Sequence, residues 1–168
     1  MPDPAAAEAF YTAAFGLGDK VRVRGSQSPA TGFRGFTLSL VVPQPSTVDS
    51  LISTAPDGTI WKVATSAKKD TGPATRAIDG IVLILGVADM AASKHSYAGH
   101  GLAVAKSFGS KYAEFDAEPG AIKLSLYKRS GLAKDAGVTP EGTGSHRLAI
   151  GSDAGPFTDP DGFTWEAA

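Results

Sequence analysis

The sequence predicts an α+β protein built from two related units, and three observations carry that reading. Short matches recur down the chain in a shared order. Segments with the alternation or β-branched composition of strands outnumber helical ones. The helical stretches open on residues that cap helix N-termini.

The matches come first because they organise the rest. Pro56-Asp57-Gly58-Thr59-Ile60-Trp61-Lys62-Val63-Ala64 is similar to Pro160-Asp161-Gly162-Phe163-Thr164-Trp165-Glu166-Ala167-Ala168, an offset of 104 from Pro56 to Pro160. Leu38-Ser39-Leu40 matches Leu124-Ser125-Leu126 at an offset of 86. Asp3 and Tyr11 match Asp89 and Tyr97 at 86, and Gly16-Leu17 matches Gly101-Leu102 at 85. Three-letter matches are common in a chain rich in alanine and glycine, so it is their order that argues for two copies: residues 1–70, a linker at 71–79, and residues 80–168.

Taken in chain order, Asp3 followed by Pro4 predicts a capped helix over 5–15, with Phe10, Ala14 and Leu17 along one face and Gly16 and Gly18 as the stop. Strands are expected at 20–24 and 36–42. A second helix is announced by Ser46-Thr47-Val48-Asp49 after Pro43 and Pro45, with Val48, Leu51 and Ile52 inward. A strand at 60–64 closes the first copy. The second opens with a strand at 81–87, followed by a helix from Met90 to His100 capped by Asp89. Further strands are expected at 104–108, 111–116, 122–128, 146–150 and 164–167. Two connections, 25–35 and 131–144, read as loops beside a cleft. Copy against copy, the first lacks a leading strand. It also allows 16 positions from Leu40 to Pro56, against 34 from Leu126 to Pro160. The comparison implies residues absent before Met1 and between Ala55 and Pro56.

Composition narrows the function. The 168 residues carry 16 Lys and Arg against 17 Asp and Glu, so there is no overall electrostatic pull toward nucleic acid or anionic membranes. The absence of cysteine excludes thiolate metal sites, disulfides and a cysteine nucleophile. The first ten residues have neither a basic segment nor an apolar one, and the longest apolar run, Ile81 to Ala88, is far short of the roughly 20 residues a membrane span needs. A cytoplasmic protein with no nucleic-acid or membrane partner is the expectation. Gly142-Thr143-Gly144-Ser145 lacks the lysine of a phosphate loop and precedes a strand.

The segments Asp-Pro-Asp-Gly-Phe-Thr-Trp-Glu (159–166) and Pro-Asp-Gly-Thr-Ile-Trp-Lys (56–62), the pairs Phe10-Tyr11 and Gly16-Leu17, and Gly80 to Asp89 together resemble the vicinal oxygen chelate superfamily. This superfamily includes glyoxalase, bleomycin-resistance proteins and extradiol dioxygenases. The resemblance covers most of the chain. It implies paired βαβββ modules forming an incompletely closed mixed-sheet barrel around a cleft, lined in metal-dependent members by His or Gln, His and two Glu ligands. Glu166 stands at the final-strand Glu position and His146 at the second-half His position. Lys62 stands where the first copy would have its Glu, and an ammonium cannot ligate a cation. The strand at 81–87 has no ligating side chain, and that at 122–128 offers Lys123, Ser125 and Tyr127.

Two ligands of four imply a metal-independent, glyoxalase-like protein with no cofactor. It would hold a small organic molecule for sequestration or resistance, on Phe36, Trp61, Trp165, Tyr127 and Lys62, with His146 and Glu166 as the candidate catalytic pair. The alternative is a lyase, isomerase or dioxygenase, either using a divalent metal or using His146 as general base. A degenerate unit serving as a homodimer contact is a third. Each residue also has a plainer reading. His146 can be a strand-end histidine bonded within the sheet, Glu166 an exposed strand residue, and Trp61 and Trp165 core packing. His95 and His100, five apart, share no clean helix face, and Lys111, Tyr112 and Glu114 read as a solvated strand with Tyr112 inward.

Overall fold

In the computed structural model, the described residues are 3–18, 20–25, 27, 29, 31–47 and 59–168. The chain divides into two compact units that interleave in sequence. Unit 1 comprises Met1–Gln27, Thr37–Val82 and Gly120–Ile122; unit 2 comprises Ser28–Phe36, Leu83–Pro119 and Lys123–Ala168. The class is α+β with parallel and antiparallel strand pairs, and among the described residues neither unit closes a barrel. No helix among the described residues is long and apolar enough to cross a membrane.

Unit 1 begins with helix α1 (Pro4–Phe15), started by the Asp3 carboxylate accepting from Ala5 N at 3.0 Å and ended by Gly16 at φ 67°. That left-handed angle suits a residue without Cβ. The buried face is Ala7, Tyr11 and Phe15 with Leu17, not the Phe10 and Ala14 face expected. Tyr11 and Phe15 win because both rings pack on Trp61, with centroids 5.6 and 4.8 Å away. Trp61 starts strand β3 (Trp61–Thr65), parallel to β2 (Phe36–Val42) with Leu38 opposite Trp61.

The strand expected at 20–24 does not form. Lys20 and Val21 N–H groups bond to the Leu17 carbonyl at 2.9 and 3.1 Å, and Val23 N donates to the Glu8 carboxylate at 2.8 Å. Those amides are thus committed to α1 and its last turn. Residues 45–47 are helical; the rest of the helix expected there, and Ala55 and Pro56, lie outside the described residues. Buried Gln44 fixes residues 71–73, donating to the Gly72 and Pro73 carbonyls at 2.9 and 3.0 Å and accepting from Thr71 N at 3.0 Å.

Strand β4 (Gly80–Val87) begins in unit 1 and ends in unit 2. In unit 2 it leads to α2 (Met90–Gly99), then β5 (Val104–Phe108), β6 (Tyr112–Phe115) and β7 (Lys123–Lys128), in sheet order β4-β7-β6-β5. Asp89 caps α2, accepting from Ala91 and Ala92 N at 2.9 and 3.1 Å. β5, β6 and β7 pair antiparallel, so successive residues alternate between two faces. Ala113, Phe115, Leu124 and Leu126 are buried on the α2 side, where Phe115 meets Tyr97 edge-on at 5.5 Å.

The loop expected at 131–144 is in its first part a helix, α3 (Arg129–Asp135), burying Leu132 and Ala133. It has no side-chain cap, which left nothing in its opening residues to announce it. β1 (Thr31–Gly32) pairs with β8 (Gly142–Thr143), and Arg129 holds this pair by donating to the carbonyls of Phe33, Pro140 and Gly142 at 2.8, 2.9 and 3.1 Å. The strand expected at 146–150 is instead a single 3₁₀ turn at Ser145–Arg147 followed by β9 (Ala149–Gly151). β11 (Thr164–Glu166) runs parallel to β9 and antiparallel to β10 (Phe157–Thr158).

Candidate functional site

Every carboxylate oxygen of the Asp-Pro-Asp-Gly turn between β10 and β11 accepts a hydrogen bond from within the protein. Asp159 Oδ1 accepts from Asp161 N and Phe163 N at 3.0 and 2.9 Å, and Oδ2 accepts from the Tyr97 hydroxyl. Asp161 Oδ1 accepts from Ala88 N at 2.8 Å and Oδ2 from Ser93 Oγ at 3.1 Å. The turn therefore bolts β11 to Ala88 ahead of α2, to Ser93 in the helix and to Tyr97 in its last turn. Burial raises the Tyr97 phenol well above its ordinary range, and the bond to Asp159 raises it further. Trp165, 2% exposed, stacks on Phe157 at 5.0 Å and packs on Tyr97 at 5.2 Å. Unit 1 has a similar tyrosine-on-tryptophan contact, Tyr11 on Trp61.

The other sequence-derived candidates scatter. Phe36 is buried against Phe163, centroids 6.4 Å apart. Lys62 lies half-buried on β3 in unit 1, in register with Ser39. His146 is exposed in the 3₁₀ turn, and Glu166 is half-buried on β11 level with Gly151. Gly151, the β9 partner of Glu166, lies five positions after His146, which sits in the turn ahead of β9.

A polar cluster does assemble on the face of β5–β6–β7 opposite α2. The register sets Phe108, Tyr112 and Tyr127 in one row and Lys106, Glu114 and Ser125 in the next. Tyr112 donates its hydroxyl proton to Glu114 Oε2 at 2.9 Å and lies 2.9 Å from Ser125 Oγ, leaving Ser125 to donate to it. Lys123 and Lys106 Nζ stand 3.4 and 3.9 Å from Glu114 Oε1. Burial pushes the Glu114 carboxyl up, but the Tyr112 bond and the two ammonium groups outweigh it and hold the group below the usual range. Burial raises the Tyr112 phenol; the Ser125 bond opposes this and Glu114 reinforces it.

Of the sequence-derived candidates, only Tyr127 belongs to this cluster. Its ring is half-buried, 6.5 Å from Tyr112 and packed beneath Gly131, where an added Cβ would sit 3.1 Å from the ring. The signal for its neighbours was the period-two spacing of Tyr112 with Glu114 and of Ser125 with Tyr127, which places each pair on one face. Which strands lie side by side is set by long-range register, which the spacing does not carry.

Among the described residues, no group of three or more His, Cys, Asp or Glu side chains gathers to hold a metal ion. The charged neighbours of Glu114 are ammonium groups, a donor set that does not fit a divalent cation. Comparison with protein-family models, curated proteins and solved structures returned no match.

Proposed function

We propose that the protein is a glyoxalase-like small-molecule binder whose ligand rests on the β5–β6–β7 face, a role suited to sequestration or resistance. The observation that carries this reading is the contrast between the two faces of that sheet. One is packed on α2, while the other holds a hydrogen-bonded Tyr112–Glu114–Ser125 network beside the aromatic row. Phe108 in that row is 65% exposed, and an exposed ring next to fixed polar groups is what a ligand surface needs. The vicinal oxygen chelate architecture, with paired βαβββ modules in an incompletely closed barrel, is part of the proposal. It draws support from the β4–α2–β5–β6–β7 order and from the tyrosine-on-tryptophan packing found once in each copy.

The test is thermal denaturation of the whole chain against a small-molecule library, with and without a divalent metal, since a ligand specific for the folded state raises its melting temperature. Compounds whose shift disappears in Tyr127→Ala support the reading. Stabilisation by no compound overturns it, and stabilisation only with added metal moves the protein to the metal-dependent class.

A further inference from the structure

Granted the binding reading above, we infer that the ligand is a planar aromatic acid, its ring on the Phe108–Tyr112–Tyr127 row and its carboxylate toward Lys106 and Lys123. Three features of the face lead there. Its apolar part is a row of rings across three strands, with Phe108 and Tyr112 centroids 6.1 Å apart and Tyr112 and Tyr127 6.5 Å apart. Such a row accepts a flat aromatic ring edge-on or offset.

Its charged part lies farther along the same face: Lys106 and Glu114 are two residues from the row, about 7 Å, on β5 and β6, and Lys123, four residues from Tyr127 on β7, reaches the same Glu114 oxygen as Lys106. That distance suits an aromatic ring carrying an acid on a short linker. The outermost groups there are cations: the Lys106 and Lys123 side chains are 65% and 47% exposed, and Glu114 between them is only 16% exposed. Both Glu114 oxygens are already covered, one by the Tyr112 hydroxyl and the other by the ammonium groups. A ligand arriving from solvent therefore meets two positive charges that converge on one point, with one buried negative charge behind them. An anion fits that field and an organic cation does not. Lys106 and Lys123 do not need to leave Glu114 to receive it, since each ammonium has three donors.

The experiment compares three probes of the same shape on the whole chain by titration calorimetry: 3-phenylpropanoate, its primary amide and 3-phenylpropylamine. The acid should bind at least tenfold tighter than the amide, with the amine weakest. Lys106→Ala and Lys123→Ala should each weaken the acid several-fold and leave the amide unchanged, and both variants alter exposed side chains, so their melting temperatures should stay near the parent's. Added salt should weaken the acid alone. Amide or amine binding as tightly as the acid overturns the aromatic-acid assignment while leaving a binding face in place. Binding of none of the three at millimolar concentration also overturns it, and the library screen then decides separately whether the face binds anything.

Discussion

Tyr97 on α2 and Asp159 in the turn before β11, 62 positions apart in sequence, share a buried hydrogen bond in which the phenol donates to Asp159 Oδ2. Tyr97→Phe keeps the ring against Trp165 and Phe115 but leaves a carboxylate oxygen buried with no donor. The expected cost is about 2 kcal/mol, because hydrogen bonds to charged groups are the stronger ones. Urea denaturation of the two proteins checks it, and equal midpoints would show that the bond contributes nothing.

The same burial makes Tyr97 a silent chromophore. Tyr97 is held well above its ordinary range, and Tyr112 is also raised. In an alkaline absorbance titration, Tyr97 should not ionise until the protein unfolds, so a phenolate increment should coincide with loss of circular dichroism. Ionisation of Tyr97 with the fold intact would contradict the buried bond.

Glu114 gives a pH signature of definite sign. Its folded carboxyl lies below the ordinary glutamate value of about 4.3, so its stabilising effect is complete above that value and is lost as pH falls through the lower, folded one. Glu114→Gln should therefore be less stable than the parent at pH 7, by about 1 kcal/mol or less given the exposed lysines. The gap should close below about pH 4. A gap that widens on acidification would mean that the carboxyl is raised instead.

Gly142 joins β8 to β1 at φ 149°, where an added Cβ would sit 2.3 Å from Phe33 N and 2.5 Å from Thr31 O. Those atoms are backbone and cannot step aside. Gly142→Ala should open the β1–β8 pair, and the Phe33 amide, bonded to the Glu141 carbonyl at 3.0 Å, should exchange with deuterium much faster while the Phe115 region keeps its protection. Unchanged exchange at Phe33 would mean that the short pair tolerates a side chain there.

How much of this was legible depended on whether the signal was local. Asp3 and Asp89 cap their helices because a carboxylate two or three residues ahead of free N–H groups needs nothing else. α3 was missed for want of a cap and with Gly131 inside it, although the offset of 86 that matches Leu38 to Leu124 carries the helical residues 45–47 onto 131–133. Val21 and Val23 alternate like a strand, but the Leu17 carbonyl and the Glu8 carboxylate took their amides. Tyr112 and Glu114 were readable as neighbours on one face; that Ser125 and Lys123 complete their network depends on strand register, fixed by packing far along the chain.

Of the four carboxylate oxygens of Asp159 and Asp161, one shapes the turn itself and three tie it to α2 and to Ala88 just ahead of that helix. A chain bearing this turn ahead of a tryptophan strand thereby declares how its helix is docked and stays silent on what it binds. Two proteins sharing the turn can differ freely in ligand, because selection on the docking and selection on the binding face act on separate side chains.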